Sequence, residues 1–225
     1  MTTLAVVNQK GGVGKTTVAL GLAAVAARRD LSVVVVDLDP QANATSGMGV
    51  WSPVSTVAHG LAADADGALI GVDADLVIID CPPSLGLLTI NGLFAADHAV
   101  IVTEPSAWAV DGVAQILRNI SRIAERRNGT PTLSGVVVNR LARTRDARYW
   151  DEQLVETYGP DVIRPAIALK AAVAEASAQS LPITAVTRAG AAEAAAQFEA
   201  VLDRLVPAAP SLPEASRDGV ADAAL

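Results

Sequence analysis

Leu4-Ala5-Val6-Val7-Asn8-Gln9-Lys10-Gly11-Gly12-Val13-Gly14-Lys15-Thr16-Thr17 is the stretch whose reading decides the fold. Its apolar opening, too short for a helix, stops at Asn8 and gives way to glycines, the pattern of a buried strand feeding a turn. The alanine-rich stretch from Thr16 to Arg29 then reads as a helix. A glycine-rich loop between strand and helix lets backbone N–H groups turn inward as an anion nest, and the helix start adds its positive end. Gly11, Gly12, Val13 and Gly14 would form that cradle. Lys15 would reach the β and γ phosphates of a nucleotide, Thr16 would ligate Mg²⁺, and Thr17 would donate to the α-phosphate.

Working outward, Ser32 to Val36 and Leu76 to Ile79 are β-branched-rich runs, each ending at an aspartate. Continuous apolar strands of this kind belong to parallel sheets covered on both faces. Further strands are expected at Ala99 to Thr103 and Leu133 to Asn139, with helices from about Ser84 to Ala96 and Trp108 to Asn128. Beyond Arg140 come an arginine-bearing loop, a helix near Tyr149 to Tyr158, a short strand at Val162 and Ile163, and a last helix from Gly190 to Leu205. The β-α alternation predicts a doubly wound α/β domain with a mainly parallel sheet over residues 1–206. Residues 207–225, proline-bearing and without large apolar periodicity, read as a disordered tail. The segment 51–75 is poorly periodic, and no element is assigned to it.

The strand-end acids complete the chemistry. Asp37-Leu38-Asp39-Pro40 closes the second strand, and a carboxylate at a strand's carboxyl end beside a phosphate loop can hold Mg²⁺ through water. An acid two residues later can orient an attacking water, although Asp-x-Asp-Pro also suits a plain surface turn. Asp80, closing Leu76-Val77-Ile78-Ile79, stands where a Walker B carboxylate must, and Pro82 and Pro83 stiffen the next segment.

The bulk numbers exclude several classes. The 225 residues, 51% of them hydrophobic, suffice for one sizeable core. No run reaches the roughly 18 to 20 apolar residues of a membrane span, and no signal-peptide pattern opens the chain, so a cytoplasmic protein is expected. One cysteine, Cys81, excludes an internal disulfide framework and reads as a small core residue. Net charge is −7, yet between residues 118 and 148 eight arginines face two acids. Lysine is confined to Lys10, Lys15 and Lys170.

The ordinary Walker A pattern has glycine where this chain has Gln9, and Lys10 comes immediately after. With Asp37 to Thr45 and Asp80-Cys81-Pro82-Pro83, the string resembles the deviant Walker A of the ParA/MinD superfamily, and within it the ParA partition ATPases. The likeness runs from about residue 3 to 195 and looks like a compact form with no operator-binding module before the P-loop. It implies that Lys10 is the signature lysine crossing a dimer interface to the partner's nucleotide, that Asp39 serves hydrolysis, and that Asp37 and Asp80 serve Mg²⁺. It extends through Thr103-Glu104-Pro105-Ser106 and Val138-Asn139-Arg140, placing Asn139 at the adenine, with Pro165 packing on the base.

The resemblance further implies a weak Mg-dependent ATPase that dimerises on ATP, grips DNA non-specifically, associates with the nucleoid and is discharged by a ParB-like partner in plasmid, phage or chromosome partition. Arg164, Lys170 and Arg188 fall near the family's DNA-holding positions, while Arg143, Arg145 and Arg148 form a second basic group. Arg118, Arg122 and Arg126, spaced four apart, read as a solvated helical face. A ParA-like positioner of a protein cargo would share all these residues. A MinD-like membrane ATPase would need a basic amphipathic C-terminal helix, and residues 207–225 hold one arginine, Arg217.

Overall fold

The computed structural model describes residues 1–53, 56–57 and 73–206. Among them, six strands form one sheet in the order β2-β3-β1-β4-β5-β6: β1 (Thr2–Val7), β2 (Val33–Asp37), β3 (Leu76–Asp80), β4 (His98–Thr103), β5 (Thr132–Val138) and β6 (Val162–Ile163). Every pairing is parallel, so the expected mainly parallel sheet is parallel throughout. The helices are α1 (Lys15–Ala27), α2 (Asn43–Gly47), α3 (Leu87–Ala95), α4 (Ala109–Arg126), α5 (Arg145–Tyr158), α6 (Ala171–Gln179) and α7 (Ala191–Leu205).

Side-chain alternation along β1 explains why its sequence is apolar without a break. Leu4 and Val6 point into one core with Val18 and Leu22 of α1 and Phe198 of α7, while Ala5 and Val7 point into a second with Leu93 of α3 and Ile116 of α4. Cys81 is fully buried in the second core, where burial pushes its thiol pKa up. On the first face α1 and α7 pack closely: a Cβ added to Gly21 would lie 2.4 Å from the Phe198 ring. Strand order reverses direction around β1, which puts a crevice over the carboxyl ends of β1 and its neighbours.

Several boundaries differ from expectation for local reasons. The helix expected from Ser84 starts at Leu87: the chain after Pro82 and Pro83 stays turned, and the Thr89 hydroxyl donates to the Ser84 carbonyl at 2.6 Å. The helix expected from Tyr149 starts at Arg145, because Thr144 caps it by accepting from the Ala147 N–H at 3.2 Å. Arg145 and Arg148 therefore ride on a helix rather than the expected loop. Helices α2 and α6 have no counterpart in the sequence expectation. The former spans a single turn and a half, and the latter, Ala171-Ala172-Val173-Ala174-Glu175-Ala176-Ser177-Ala178-Gln179, offers little contrast between large apolar and polar positions. The expected tail at 207–225 and most of the segment 51–75 lie outside the described residues.

Candidate functional site

The loop from Asn8 to Gly14 leaves β1 and runs directly into α1. Gly14 occupies the helix N-cap at φ +86°, a left-handed conformation, and offers no side chain to the open N–H groups of the first turn; that turn contains no acid either. Bare N–H groups and an uncompensated dipole end leave the position suited to an anion. Asn139, at the exit of β5 and 2% exposed, donates its amide to the Val13 carbonyl at 2.8 Å, and a Cβ on Gly14 would lie 2.3 Å from that amide nitrogen. Arg140 donates to the Gly12 carbonyl at 2.9 Å. Two of the loop's carbonyls, those of Gly12 and Val13, are thereby held by side chains from the exit of β5.

Lys15 is 6% exposed, and burial lowers its pKa, opposed by the charges of Asp80 and then Asp39. Thr16 Oγ1 donates to Asp80 Oδ2 at 2.6 Å, while Asp80 Oδ1 is buried with no hydrogen-bond partner. Burial pushes the Asp80 carboxyl up to about 6; the Thr16 hydrogen bond opposes that rise and Asp37 adds to it. An orphaned buried carboxylate oxygen beside a hydroxyl is a site short of positive charge. Mg²⁺ with nucleotide phosphates would supply it, since that ion takes one or two protein oxygens and completes its shell with phosphate and water. Among the described residues no group of three or more His, Cys, Asp or Glu side chains could hold a metal by itself.

The aspartate that ends β2 and the one two residues later make different contacts. Asp37 is committed to its own loop: Oδ1 accepts the Asp39 N–H at 3.1 Å, and Oδ2 accepts the Thr45 N–H and hydroxyl, each at 2.8 Å. It tethers the start of α2 to the sheet. Asp39 accepts the local Gln41 N–H at 3.0 Å, and its charge is felt by both Lys15 and Asp80.

A cavity of about 660 Å³ runs from this loop along α1: Gly12, Gly14, Lys15, Thr16, Thr17 and Arg140 line it together with Leu20, Gly21 and Phe198, whereas Asp37, Asp39 and Asp80 do not. Asn139, expected at the adenine, is buried under the loop, and Pro165, expected to pack on the base, is exposed on the segment after β6. Lys10 does not line the cavity. Its Nζ pairs with Glu104 at 2.6 Å beyond the end of β4.

Of the six basic candidates three are paired with acids. Arg164 pairs with Asp151 at 2.9 Å, Lys170 with Glu193 at 2.6 Å and Arg188 with Glu175 at 2.8 Å. Arg143, Arg145 and Arg148 are exposed and make no ion pair among the described residues. Arg118, Arg122 and Arg126 lie on the exposed face of α4, as their spacing predicted. Sequence reasoning missed the structural roles of Asn8, Arg140 and Thr45. Of these only Asn8 carried a usable signal, a lone amide closing an apolar strand.

Residues 4–183 match the family model described as CobQ/CobB/MinD/ParA nucleotide binding domain. The chromosome-partitioning ATPase Soj of Thermus thermophilus is 34% identical over 207 residues, covering 77% of this chain and 83% of that protein. The structure of an ATP complex of McdA from Cyanothece superposes with a TM-score of 0.75 at 21% identity, over 91% of this chain and 96% of that one, a likeness of fold. Cobyrinic acid a,c-diamide synthase from Mycobacterium smegmatis, with bound ADP and magnesium, gives 0.71 at 27% identity over 90% and 94%.

Proposed function

This chain belongs to the CobQ/CobB/MinD/ParA nucleotide-binding family, and on that premise we propose that it is a ParA-type positioning ATPase that dimerises on ATP and hydrolyses it slowly. The observation carrying the reading is the Thr16–Asp80 pair with its unpartnered Oδ1, set beneath an uncapped helix N-terminus and beside a buried lysine. Thr16 and Asp80 would hold Mg²⁺, with Asp37 acting through water. The ion would neutralise charge on the phosphates. Lys15 binds the β and γ phosphates, and Asp39 orients a water for in-line attack on the γ phosphorus; the bond to the β–γ bridging oxygen breaks, leaving ADP and phosphate.

Lys10, held away from its own cradle, is available to complete the site of a second copy. Two subunits sandwiching two nucleotides would persist until hydrolysis removes the γ-phosphate. Such a dimer joins two weak basic surfaces, and because phosphate contacts add and release counterions, the joined surface grips DNA steeply and salt-dependently. Arg164, Lys170 and Arg188 are the proposed contacts, each exchanging its acid for a DNA phosphate. Arg143, Arg145 and Arg148 are the second group. A ParB-like protein is the proposed activator, and residues 1–206 are the proposed ATPase domain, working in the cytoplasm on the nucleoid. Among the described residues no helix is long and apolar enough to cross a membrane.

The test is retention of Asp39→Ala protein on non-specific duplex DNA with ATP or ADP across a salt series. Salt-sensitive retention with ATP alone supports the reading, and Arg188→Ala in that background should weaken it without changing nucleotide affinity. Equal retention with both nucleotides, or none, removes DNA as the surface on which the switch acts.

A further inference from the structure

Lys10, although exposed, is already paired within its own chain. Its ammonium meets Glu104 at 2.6 Å, and both residues line a second cavity of about 370 Å³ together with Asp111 and the exposed Trp108. The pair is not a chance encounter of two long side chains. Asn8, buried at the exit of β1, accepts the Lys10 N–H on Oδ1 at 2.7 Å, and its amide donates to the Val102 carbonyl of β4. Val102 lies two residues before Glu104. One asparagine thus holds the backbone of Lys10 and ties it to β4 two residues before Glu104. Side-chain exposures of 51% for Lys10 and 26% for Glu104 leave the pair open to water and to exchange.

We propose that Glu104 is a positioning residue for Lys10: it parks the lysine in cis in the single subunit, so that forming the ATP dimer is an exchange of Lys10 from Glu104 to the partner's nucleotide phosphates. The inference rests on the proposed trans role of Lys10. It adds a threshold to the switch. A carboxylate within the same chain competes with a phosphate group on another, and the competition is won only when the second copy carries the doubly charged γ-phosphate of ATP. Asp111 lies in the same cavity and adds negative charge around the parked ammonium. Two such pairs, one per subunit, must open for each dimer, so their effect on dimerisation is counted twice.

The experiment measures dimer dissociation constants by sedimentation with a non-hydrolysable ATP analogue for the wild type, Glu104→Gln, Glu104→Asp and Lys10→Ala. Reactivity of the Lys10 amine toward an acylating reagent is read in parallel on nucleotide-free protein. Removing two exposed ion pairs should tighten the Glu104→Gln dimer by about 2- to 30-fold. Glu104→Asp, which keeps the charge one methylene short, should fall between that variant and the wild type. Lys10 labelling should rise in the same order. A Glu104→Gln dimer that is unchanged or weaker overturns the parking role, even if labelling rises. Failure of the underlying reading has a different signature: the wild type binds the analogue and stays monomeric at every concentration, or Lys10→Ala dimerises as well as the wild type.

Discussion

Replacing Gly14 by alanine would test the cradle where it is tightest. The residue sits at φ +86°, and its missing Cβ would fall 2.3 Å from the Asn139 amide nitrogen, which itself is buried and bonded to the Val13 carbonyl. Two costs are separable. A non-glycine residue in the left-handed region costs about 1 to 2 kcal/mol. Swinging Asn139 aside to make room breaks its bond and leaves buried polar groups unpaired, about 1 to 3 kcal/mol more. Gly14→Ala should therefore destabilise the fold by about 2 to 5 kcal/mol, combining the backbone cost with the lost bond. In an Asn139→Ala background the clash is already gone, so the same change should cost only the backbone share, about 1 to 2 kcal/mol. Urea unfolding of the two single variants and the double gives the coupling directly. Strict additivity, with Gly14→Ala equally costly in both backgrounds, would refute the inference that Asn139 shapes the loop by filling the space a glycine leaves.

Lys15→Ala should weaken ATP binding by about 100-fold or more, since charge-assisted contacts to two phosphates are lost; equilibrium dialysis that finds retained affinity discards the phosphate-loop assignment. Asp80→Asn probes the orphaned oxygen through pH. The folded carboxyl titrates at about 6 against an ordinary 3.8, so the native state holds the proton more tightly than the unfolded chain and ionisation costs the fold. The cost is absent below pH 3.8, grows between there and 6, and is fully present above; at ~1.4 kcal/mol per unit it approaches ~3 kcal/mol. Metal-free Asp80→Asn protein should then be the more stable at pH 7.5, with its advantage shrinking toward pH 4.5, while losing Mg-dependent nucleotide binding. An advantage independent of pH would contradict burial of the charged carboxylate as the cause.

The strands that build the sheet were legible because a parallel sheet covered on both faces demands unbroken apolar runs, and Leu4 to Val7, Val33 to Val36 and Leu76 to Ile79 are such runs. The cradle was legible for a related reason. A backbone nest needs glycines, one lysine and a hydroxyl in fixed order along a single turn, and Gly11 to Thr17 carry that order in their covalent sequence. Local chemistry on one segment is written where it is used. By contrast, α6 left no periodic trace, because a helix built mainly of alanine buries little and contrasts with nothing.

What the sequence by itself determined is the strand-loop-helix unit, the acids at the strand ends and the α/β class, all properties of residues near one another in the chain. What only the tertiary structure decided is which distant groups meet. Asn139 lies under a loop 126 residues earlier in the chain, Asp80 leaves one oxygen unpartnered, and Lys10 meets Glu104 across 94 residues. Each of Arg164, Lys170 and Arg188 has an acid at hand. The contacts of Asn139 and Lys10 depend on strand order, and the three ion pairs on how helices and loops pack; neither is encoded in any single stretch of residues. The sheet order that puts β4 beside β1 brings Glu104 within reach of Lys10, because only folding makes the ends of those two strands neighbours.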